Sequence, residues 1–359
     1  MFGLLLLIIR RSLRNAPLTA AVLIGLLVLV MLLAAAPLYT AALADVGLRA
    51  ALADAPPSQR GVRAIFVTQQ LQQPEQTRLS RLLGQTAREV AWLKPALLGA
   101  ISTESLLPPE GYSRGEVSLV EADTALANLS VVEGRLPRAT GAGGTTEVVL
   151  GAAAADMLGL HLGDRLALSE SMGGTRVMQI QVVGLVEPAD VSAPFWQSGL
   201  LDLEPTVSAS RRAANVVVAP GTLWTQVVPR FPRGRVNGEY RWLIVFDLRG
   251  VDSSNVLQAQ AGINRVVQTT NRTLGGANAG SDFDTIVADY RQRLAIMRAP
   301  LFLLFVEIAG LALIYIAWVA AFQAEATASE QAVLGARGAG LRQIAGISGG
   351  QAAILAAGA

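Results

Sequence analysis

The sequence predicts a membrane protein in which α-helical transmembrane segments enclose an inserted α+β extracytoplasmic domain. Two long apolar runs lead to this prediction, one at 18–44 and the other at 300–322. The first run contains no charged residue, and the second contains only Glu307. Each run exceeds the ~20 residues that a helix needs to cross a ~30 Å hydrocarbon layer. The mixed polarity of residues 45–299 predicts a folded domain that is attached to the membrane at both of its ends.

Composition disfavours most catalytic chemistry. The chain has 359 residues, 52% of them hydrophobic, which is too apolar for a purely soluble protein and too polar for an all-membrane chain. Cysteine is absent and His161 is the single histidine, so disulfides, thiolate metal sites and histidine clusters are excluded. The net charge is only +2, without a dense basic stripe, so we expect no nucleic-acid partner. We also expect no enzymatic activity and no cofactor, and we interpret His161 as a solvated or capping residue.

The N-terminus predicts the orientation. Residues 1–17 are interpreted as a cytoplasmic amphipathic helix whose Arg10, Arg11 and Arg14 lie near anionic membrane lipids. Basic residues before a first span keep the N-terminus in the cytoplasm, and long loops cross the membrane with little regard to charge. A cleavable signal peptide is the alternative, because Ala34-Ala35-Ala36 resembles a cleavage site. We favour an anchor, since the apolar run is longer than a typical signal sequence.

Strands and helices alternate in the segment between the apolar runs. Apolar residues at helical spacing predict helices over 75–92 and 254–271. Alternating or β-branched stretches predict seven strands, at 62–71, 116–120, 147–150, 165–168, 176–186, 215–219 and 240–248. Pro56-Pro57 is interpreted as a linker that precedes the domain. Strands mixed with helices of this length are typical of an α+β domain.

Five short motifs follow one another in this segment. They are Val132-Glu-Gly-Arg-Leu-Pro137, Glu147-Val-Val-Leu-Gly151, Ala154-Ala-Asp-Met-Leu-Gly-Leu160, Leu162-Gly-Asp-Arg-Leu166 and Val182-Val-Gly-Leu-Val186. Gly159 suits a helix C-cap and Gly163-Asp164 a tight turn. The order of the motifs resembles the periplasmic domain of FtsX/MacB-type ABC transporter permeases.

The segment 323–343 carries a second resemblance to the same family. The matching residues are Glu330, Leu334, Gly335, Ala336, Arg337, Gly338, Ala339, Arg342, Gln343 and Ile344. In that family this stretch is a cytoplasmic coupling helix that docks on the ATPase. The resemblance therefore implies that Glu330, Leu334, Arg337 and Arg342 contact an ATPase. The chain departs from the family pattern because few basic residues precede Glu330, and a generic juxtamembrane helix is the alternative.

Two features of the membrane segments complete the prediction. Residues 344–359 are small and apolar, and we interpret them as the start of a third transmembrane helix that is truncated here. The chain would then be the N-terminal part of a longer permease. Glu307 lies about two turns into the second span. It either tunes a helix–helix interface or lies near the outer headgroups, hydrogen-bonded to a neighbouring helix.

The resemblance implies a permease subunit in a bacterial plasma membrane. Such a subunit transmits motion of a cytoplasmic ABC ATPase to its extracytoplasmic domain, for export, lipoprotein or lipid release, or activation of a partner. No Walker A motif occurs in the sequence, so the chain is not the ATPase itself. The implied partners are the ATPase, a second permease copy or half, membrane lipids, and a lipid-linked or peptide cargo. The alternative function is a membrane-anchored extracytoplasmic sensor or scaffold without a transport role.

Overall fold

The segment between the apolar runs forms one mixed sheet of eleven strands, counted over the residues that the structure describes. The computed structural model describes residues 16–108, 115–122, 124–139, 144–170, 178–208, 211–231 and 236–336. The chain divides into two units. One contains the residues up to Gly47 and those from Arg291 onward, and the other is Leu48–Tyr290. The sheet belongs to the Leu48–Tyr290 unit, for which the sequence predicted the range 45–299.

The helices that contain the two apolar runs are longer than those runs, whereas the two predicted amphipathic helices are not longer than predicted. Pro57 occupies the first turn of a short helix, where its missing N–H costs nothing, so Pro56-Pro57 does not form the predicted linker. Helix α3 continues into a 3₁₀ turn over Arg88–Leu93. The helices are α1 (Ala16–Asp54), α2 (Pro57–Arg60), α3 (Gln73–Ala87), α4 (Ala152–Leu158), α5 (Val256–Thr273) and α6 (Phe283–Ala336).

The strand order in the sheet is β11-β1-β10-β2-β3-β9-β5-β7-β4, with β6 paired to β7 and β8 to β9. The pairs β3–β9 and β5–β7 are parallel, and the other pairs are antiparallel. The strands are β1 (Val62–Thr68), β2 (Ala96–Thr103), β3 (Glu116–Ala122), β4 (Leu129–Gly134), β5 (Thr146–Gly151), β6 (Arg165–Leu168), β7 (Met178–Pro188), β8 (Thr206–Val207), β9 (Arg212–Val218), β10 (Gly238–Val245) and β11 (Ala277–Gly280).

Aromatic side chains of β10 pack on one face of the sheet, beneath α3. Tyr240 is fully buried, and its ring lies 6.3 Å from that of Phe66 and 5.8 Å from that of Trp242. The indole Nε1 of Trp242 donates a hydrogen bond to Ser80 Oγ on α3 at 3.0 Å. The hydroxyl of Tyr240 donates to Gln72 O at 3.0 Å and accepts from Gln72 N–H at 2.7 Å. These bonds satisfy the polar ends of two large apolar side chains, so burying them carries little polar penalty.

A second apolar cluster involves strands β2, β3, β5, β9 and β10 and the segment that follows β7. Phe195 and Trp196 make an edge-to-face contact in this segment, with ring centroids 5.1 Å apart. Leu200, Leu201 and Leu203 pack beside them against strand residues such as Val120, Val217 and Leu243. This segment after β7 therefore covers sheet residues that would otherwise expose apolar surface to water.

The two predicted spans lie within longer helices, whose apolar surface is exposed. In each helix, 0% of the most apolar 18-residue window is buried. A core helix of a soluble protein is mostly buried, so both helices differ from that class. Pro300, where the sequence places the start of the second span, lies inside α6, so the helix begins before the predicted span. Hydropathy identifies the lipid-compatible part of a helix, whereas α6 begins in an amphipathic stretch that buries Phe283, Val287 and Leu294.

Helices α1 and α6 contact each other at a glycine. A Cβ added to Gly25 would lie 3.1 Å from Ile316 Cγ1 and 3.2 Å from the ring of Tyr315. Small residues allow such close approach between membrane helices, where dispersion contacts replace the hydrophobic effect. Gly25 therefore identifies the side of α6 that packs on α1.

Candidate functional site

A polar cleft of about 460 Å³ opens where β1 and β2 end and β10 begins. Antiparallel pairing aligns Thr68 and Thr103 with Gly238, which brings the three strand ends together. A neighbouring hollow of about 880 Å³ shares Gln69, Glu104, Ser105, Arg211 and Asn237 with the cleft. The charged residues lining the two hollows are Glu104, Glu116, Glu170, Asp202, Glu204, Arg211, Glu239 and Arg241.

Arg211 joins two strands at the boundary of the two hollows. Its Nε donates to Glu116 Oε2 at 2.9 Å, and its Nη2 donates to Ser105 Oγ at 3.1 Å. Strands β3 and β9 run parallel with Glu116 opposite Ala213, so the residues at their amino ends become neighbours. The Glu116 side chain is 15% exposed and that of Arg211 is 57% exposed. The guanidinium therefore pairs with a mostly buried carboxylate while it remains accessible from the cleft.

A second arginine is held on the floor of the cleft. Arg241 and Glu239 project from the same face of β10, and Arg241 Nε donates to Glu239 Oε1 at 2.6 Å. The Ser102 hydroxyl, which is buried, donates to the same carboxylate oxygen at 3.3 Å. Beside them, Asn237 Nδ2 donates to Glu104 Oε2 at 2.6 Å. These contacts fix the orientation of the side chains before any ligand arrives.

The lining of the two hollows is mostly anionic. Six carboxylates and two guanidiniums line the two hollows, so their lining favours cationic or hydrogen-bonding groups over anions. In the described part of the chain, no three His, Asp or Glu residues are grouped so that they could hold a metal ion. His161 lies elsewhere, in the turn between α4 and β6, with its side chain 87% exposed and Nδ1 3.5 Å from Asp164 Oδ2.

The structure describes some of the predicted site residues and not others. Glu307 lies in α6 with its side chain exposed. Glu330 and Leu334 also fall within α6, one helical turn apart along the backbone. Arg337 and Arg342 lie outside the described residues, as do 1–15 of the predicted N-terminal helix and all of 344–359. The proposed contact of these residues with an ATPase stays a prediction.

The five-motif segment is held together by an ion pair between two of its motifs. Arg135 donates from both terminal nitrogens to Glu147, at 2.6 Å and 2.5 Å. The backbone N–H of Arg138 donates to the same carboxylate at 2.9 Å. The Arg135 side chain holds the pKa of Glu147 below its usual range, and the Arg138 N–H lowers that pKa further. The pair attaches the segment after β4 to the start of β5.

Glycines in the same segment allow two strands to approach closely. Gly134 has φ +80°, and an added Cβ there would overlap the carbonyl oxygen of Val183 and lie 2.6 Å from Leu162 Cδ1. A Cβ on Gly184 would overlap the carbonyl oxygen of Arg135 and lie 3.1 Å from its nitrogen. The predicted C-cap is confirmed, because Gly159 has φ +62° after α4. Gly163 likewise has φ +89° at the predicted turn. The motif residues thus serve the fold of this segment.

We expect Glu147→Gln to lower stability at neutral pH and to lose that effect in acid. A carboxylate with a lowered folded-state pKa stabilises the fold above its unfolded pKa of about 4.3, and this contribution is lost as pH falls through the folded pKa. The thermal midpoints of the variant and the wild type should therefore converge as the pH falls below about 4. Glu133→Gln, at an exposed glutamate on β4, is the control and should follow the wild type. A constant difference down to pH 3 would show that the carboxylate charge is unimportant.

Sequence reasoning missed the cleft residues. Arg211 and Glu116 are 95 positions apart, and Asn237 and Glu104 are 133 apart. Neither pair forms a local motif, and only the strand order brings its members together. The clustering of polar residues at strand ends was the available signal, but it is also typical of ordinary turns.

Comparison with known proteins finds likenesses among solved structures. No family model matches the chain, and no curated protein sequence matches it. Among solved structures, the chain is similar to the extracellular domain of the noncanonic ABC-type transporter YknZ from Gram-positive bacteria. The identity is 12%, the TM-score is 0.30, and the match covers 61% of this chain and 100% of that one. A likeness of this degree carries no argument about the function of the chain.

Proposed function

We propose that the chain is a membrane subunit of an ABC transporter of the FtsX/MacB type, which transmits motion of a cytoplasmic ATPase to an extracytoplasmic domain. The observation that carries this proposal is that both ends of the sheet-containing segment continue into helices whose most apolar windows are 0% buried. Side chains on α6 that are 61–68% exposed include Phe302, Leu303, Leu311, Ile314 and Trp318. Exposing such an apolar surface is unfavourable in water and favourable in the hydrocarbon of a membrane.

The course of α6 supports a role in transmission. The helix continues past the end of the apolar run at 322 as far as Ala336. Fourteen further residues correspond to about 21 Å at 1.5 Å per residue. Glu330 and Leu334 lie on this extension, where the family resemblance places the coupling helix. A continuous helix can carry a displacement at its end into the span without an intervening flexible joint.

The proposed orientation rests on the N-terminal arginines. Arg10, Arg11 and Arg14 favour a cytoplasmic N-terminus, so that 45–299 lies outside and 323–343 inside. Arg291, Arg293 and Arg298 precede the second span on the side placed outside, and taken alone they would favour the reverse. The first span usually dominates, and the long segment between the spans translocates largely regardless of its charge.

The cleft is the observation that favours the second candidate, a membrane-anchored sensor or scaffold. A pocket of about 460 Å³ with converging polar groups is of the size that small ligands occupy. A sensor would use this cleft as its recognition site and would need no ATPase. The two functions differ in whether an ATPase accompanies the purified protein.

We expect Leu334→Asp combined with Arg337→Asp to remove the ATPase from the purified membrane protein. The double change replaces an apolar contact and a positive charge by two negative charges, so the co-purifying ATPase activity should fall about tenfold or more. Ala332→Asp is the matched control, because position 332 lies about 200° around the helix from position 334. It adds a negative charge to the same helix and should retain the ATPase.

Two results would count against the proposal. Equal ATPase activity in the double variant and the wild type would overturn the docking contact, and wild-type protein without any ATPase would favour the sensor. Membrane placement is checked in the same cells with Val191→Cys, because the native chain has no cysteine and Val191 is 70% exposed. An impermeant maleimide added to intact spheroplasts should label that cysteine.

A further inference from the structure

Glu307 places a carboxylate in an otherwise apolar run. It is the only charged residue in 300–322, and its side chain is exposed. It makes no hydrogen bond or ion pair with the residues that the structure describes. A carboxylate that faces hydrocarbon is expensive, and intramembrane carboxylates almost always face a helix bundle or a wet cavity. The surroundings of Glu307 within the span are therefore incomplete.

Helix α1 does not supply the missing surroundings. The contact of α6 with Gly25 of α1 is made by Tyr315 and Ile316. Glu307 precedes Ile316 by nine residues, which is two and a half turns at 3.6 residues per turn. It therefore projects about 180° around the axis from Ile316 and about 80° from Tyr315.

The surface around Glu307 has the shape of a helix-packing face. Gly310 lies one turn further along the helix, and no atom lies within 4 Å of where its Cβ would be. A glycine with open space in front of it lets another backbone approach closely. Leu303 is 64% exposed, Ile314 is 61% exposed and Trp318 is 68% exposed. Spacings of four, three, four and four residues place Leu303, Glu307, Gly310, Ile314 and Trp318 on one stripe, which we call the Glu307 face.

We propose that the Glu307 face binds another transmembrane helix, which carries a cationic or hydrogen-bond-donating side chain at the depth of Glu307. Charge complementarity selects this occupant, because a buried carboxylate needs a donor and lipid chains provide none. A second copy that presented the same face would bring two carboxylates together, and like charges repel. The inference rests on the membrane placement in the proposed function, but it does not depend on an ATPase.

The test uses a photoreactive side chain at two adjacent positions of the full chain in its native membrane. Ile314 follows Glu307 by seven residues and shares its face, whereas Leu313 points about 120° away. The two residues match in size, and they are 61% and 56% exposed. We expect Ile314→p-benzoylphenylalanine to form a protein adduct and Leu313→p-benzoylphenylalanine to form mainly lipid adducts. The cross-linked peptide should be an apolar segment with a donor side chain within one turn of the adduct.

Variants of Glu307 separate its role from simple packing. In the Ile314 background, Glu307→Leu should lower the yield of the protein adduct roughly fivefold or more, since interhelical polar contacts contribute on this scale. Glu307→Gln, which still hydrogen-bonds, should retain most of the adduct. Both variants keep the span apolar enough to insert.

Each other outcome overturns the inference. These outcomes are lipid adducts at both positions, an adduct of the chain with itself at 314, a cross-linked helix without a donor, and an adduct yield that Glu307→Leu leaves unchanged. Failure of membrane placement has a different signature. Position 313 would then form no lipid adduct, and the proposed function would fail together with the inference.

Discussion

Gly134→Ala is expected to lower the free energy of unfolding of the Leu48–Tyr290 unit by about 3 kcal/mol or more. The residue has φ +80°, where a non-glycine residue in a strained conformation costs on the order of 1–3 kcal/mol. The new Cβ would also overlap the carbonyl oxygen of Val183, which belongs to the backbone of β7 and cannot rotate away. Relief would require β4 to separate from β7, together with part of the pairing between them.

Gly84→Ala is the matched control for this prediction. Gly84 lies inside α3, and no atom lies within 4 Å of where its Cβ would be. Alanine there should raise the free energy of unfolding by up to about 1 kcal/mol, because it favours the helix relative to glycine. Thermal denaturation of the detergent-solubilised chains, followed by circular dichroism, compares the two. Equal midpoints for Gly134→Ala and the wild type would mean that the close approach of β4 and β7 does not occur.

Tyr240→Ala is the second change with a large expected effect, a loss of about 3–5 kcal/mol. The side chain is fully buried between Phe66 and Trp242, and its hydroxyl makes both hydrogen bonds to the backbone of Gln72. Alanine would leave a cavity and an unpaired Gln72 N–H, whereas Gln72 O would still accept from Gln76 N–H at 3.1 Å. Tyr240→Phe keeps the ring and removes only the hydroxyl, so it should cost about 1–2 kcal/mol. Chemical denaturation of both variants separates the ring from the hydroxyl.

The same tyrosine predicts how stability changes in alkali. Burial raises the pKa of Tyr240 to about 12. A tyrosine whose folded-state pKa lies above the unfolded value of about 10 contributes stability that is complete below pH 10. That contribution is lost as pH rises from about 10 towards 12, since the unfolded chain releases its proton first. Tyr240→Phe lacks this proton and should lose less stability over that range. Parallel alkaline slopes for the two proteins would contradict the assignment.

The sequence predicted the strands whose own residues favour a strand. Alternation in Gln179, Ile180, Gln181 and Val182 located β7, and Arg165–Leu168 coincides with β6. It did not predict β2, β4, β8 or β11. The four residues of β11, Ala277–Gly280, have low strand propensity, and their pairing with β1 holds them extended. Such strands depend on tertiary context, which no local pattern contains.

The helices show the opposite limitation. Hydropathy located the spans but not the helix ends, because Phe283–Arg298 is helical without being uniformly apolar. Pro300 was an unreliable boundary, as the structure keeps the helix continuous through it. In the same way, Glu307 was identified from sequence as unusual. The side of α6 on which it lies became clear only from the contact of Gly25 with Ile316.

The position of β9 has a consequence for the order in which the protein can fold. Strand β9 lies between β3 and β5, and β10 lies between β1 and β2. Until residues 212–245 have left the ribosome, β1, the β2–β3 hairpin and the β4–β7 group cannot join into one sheet. The growing chain must therefore carry unpaired strand edges until β10 has been synthesised. Such late, long-range closure makes folding slow and leaves the nascent chain dependent on protection from aggregation.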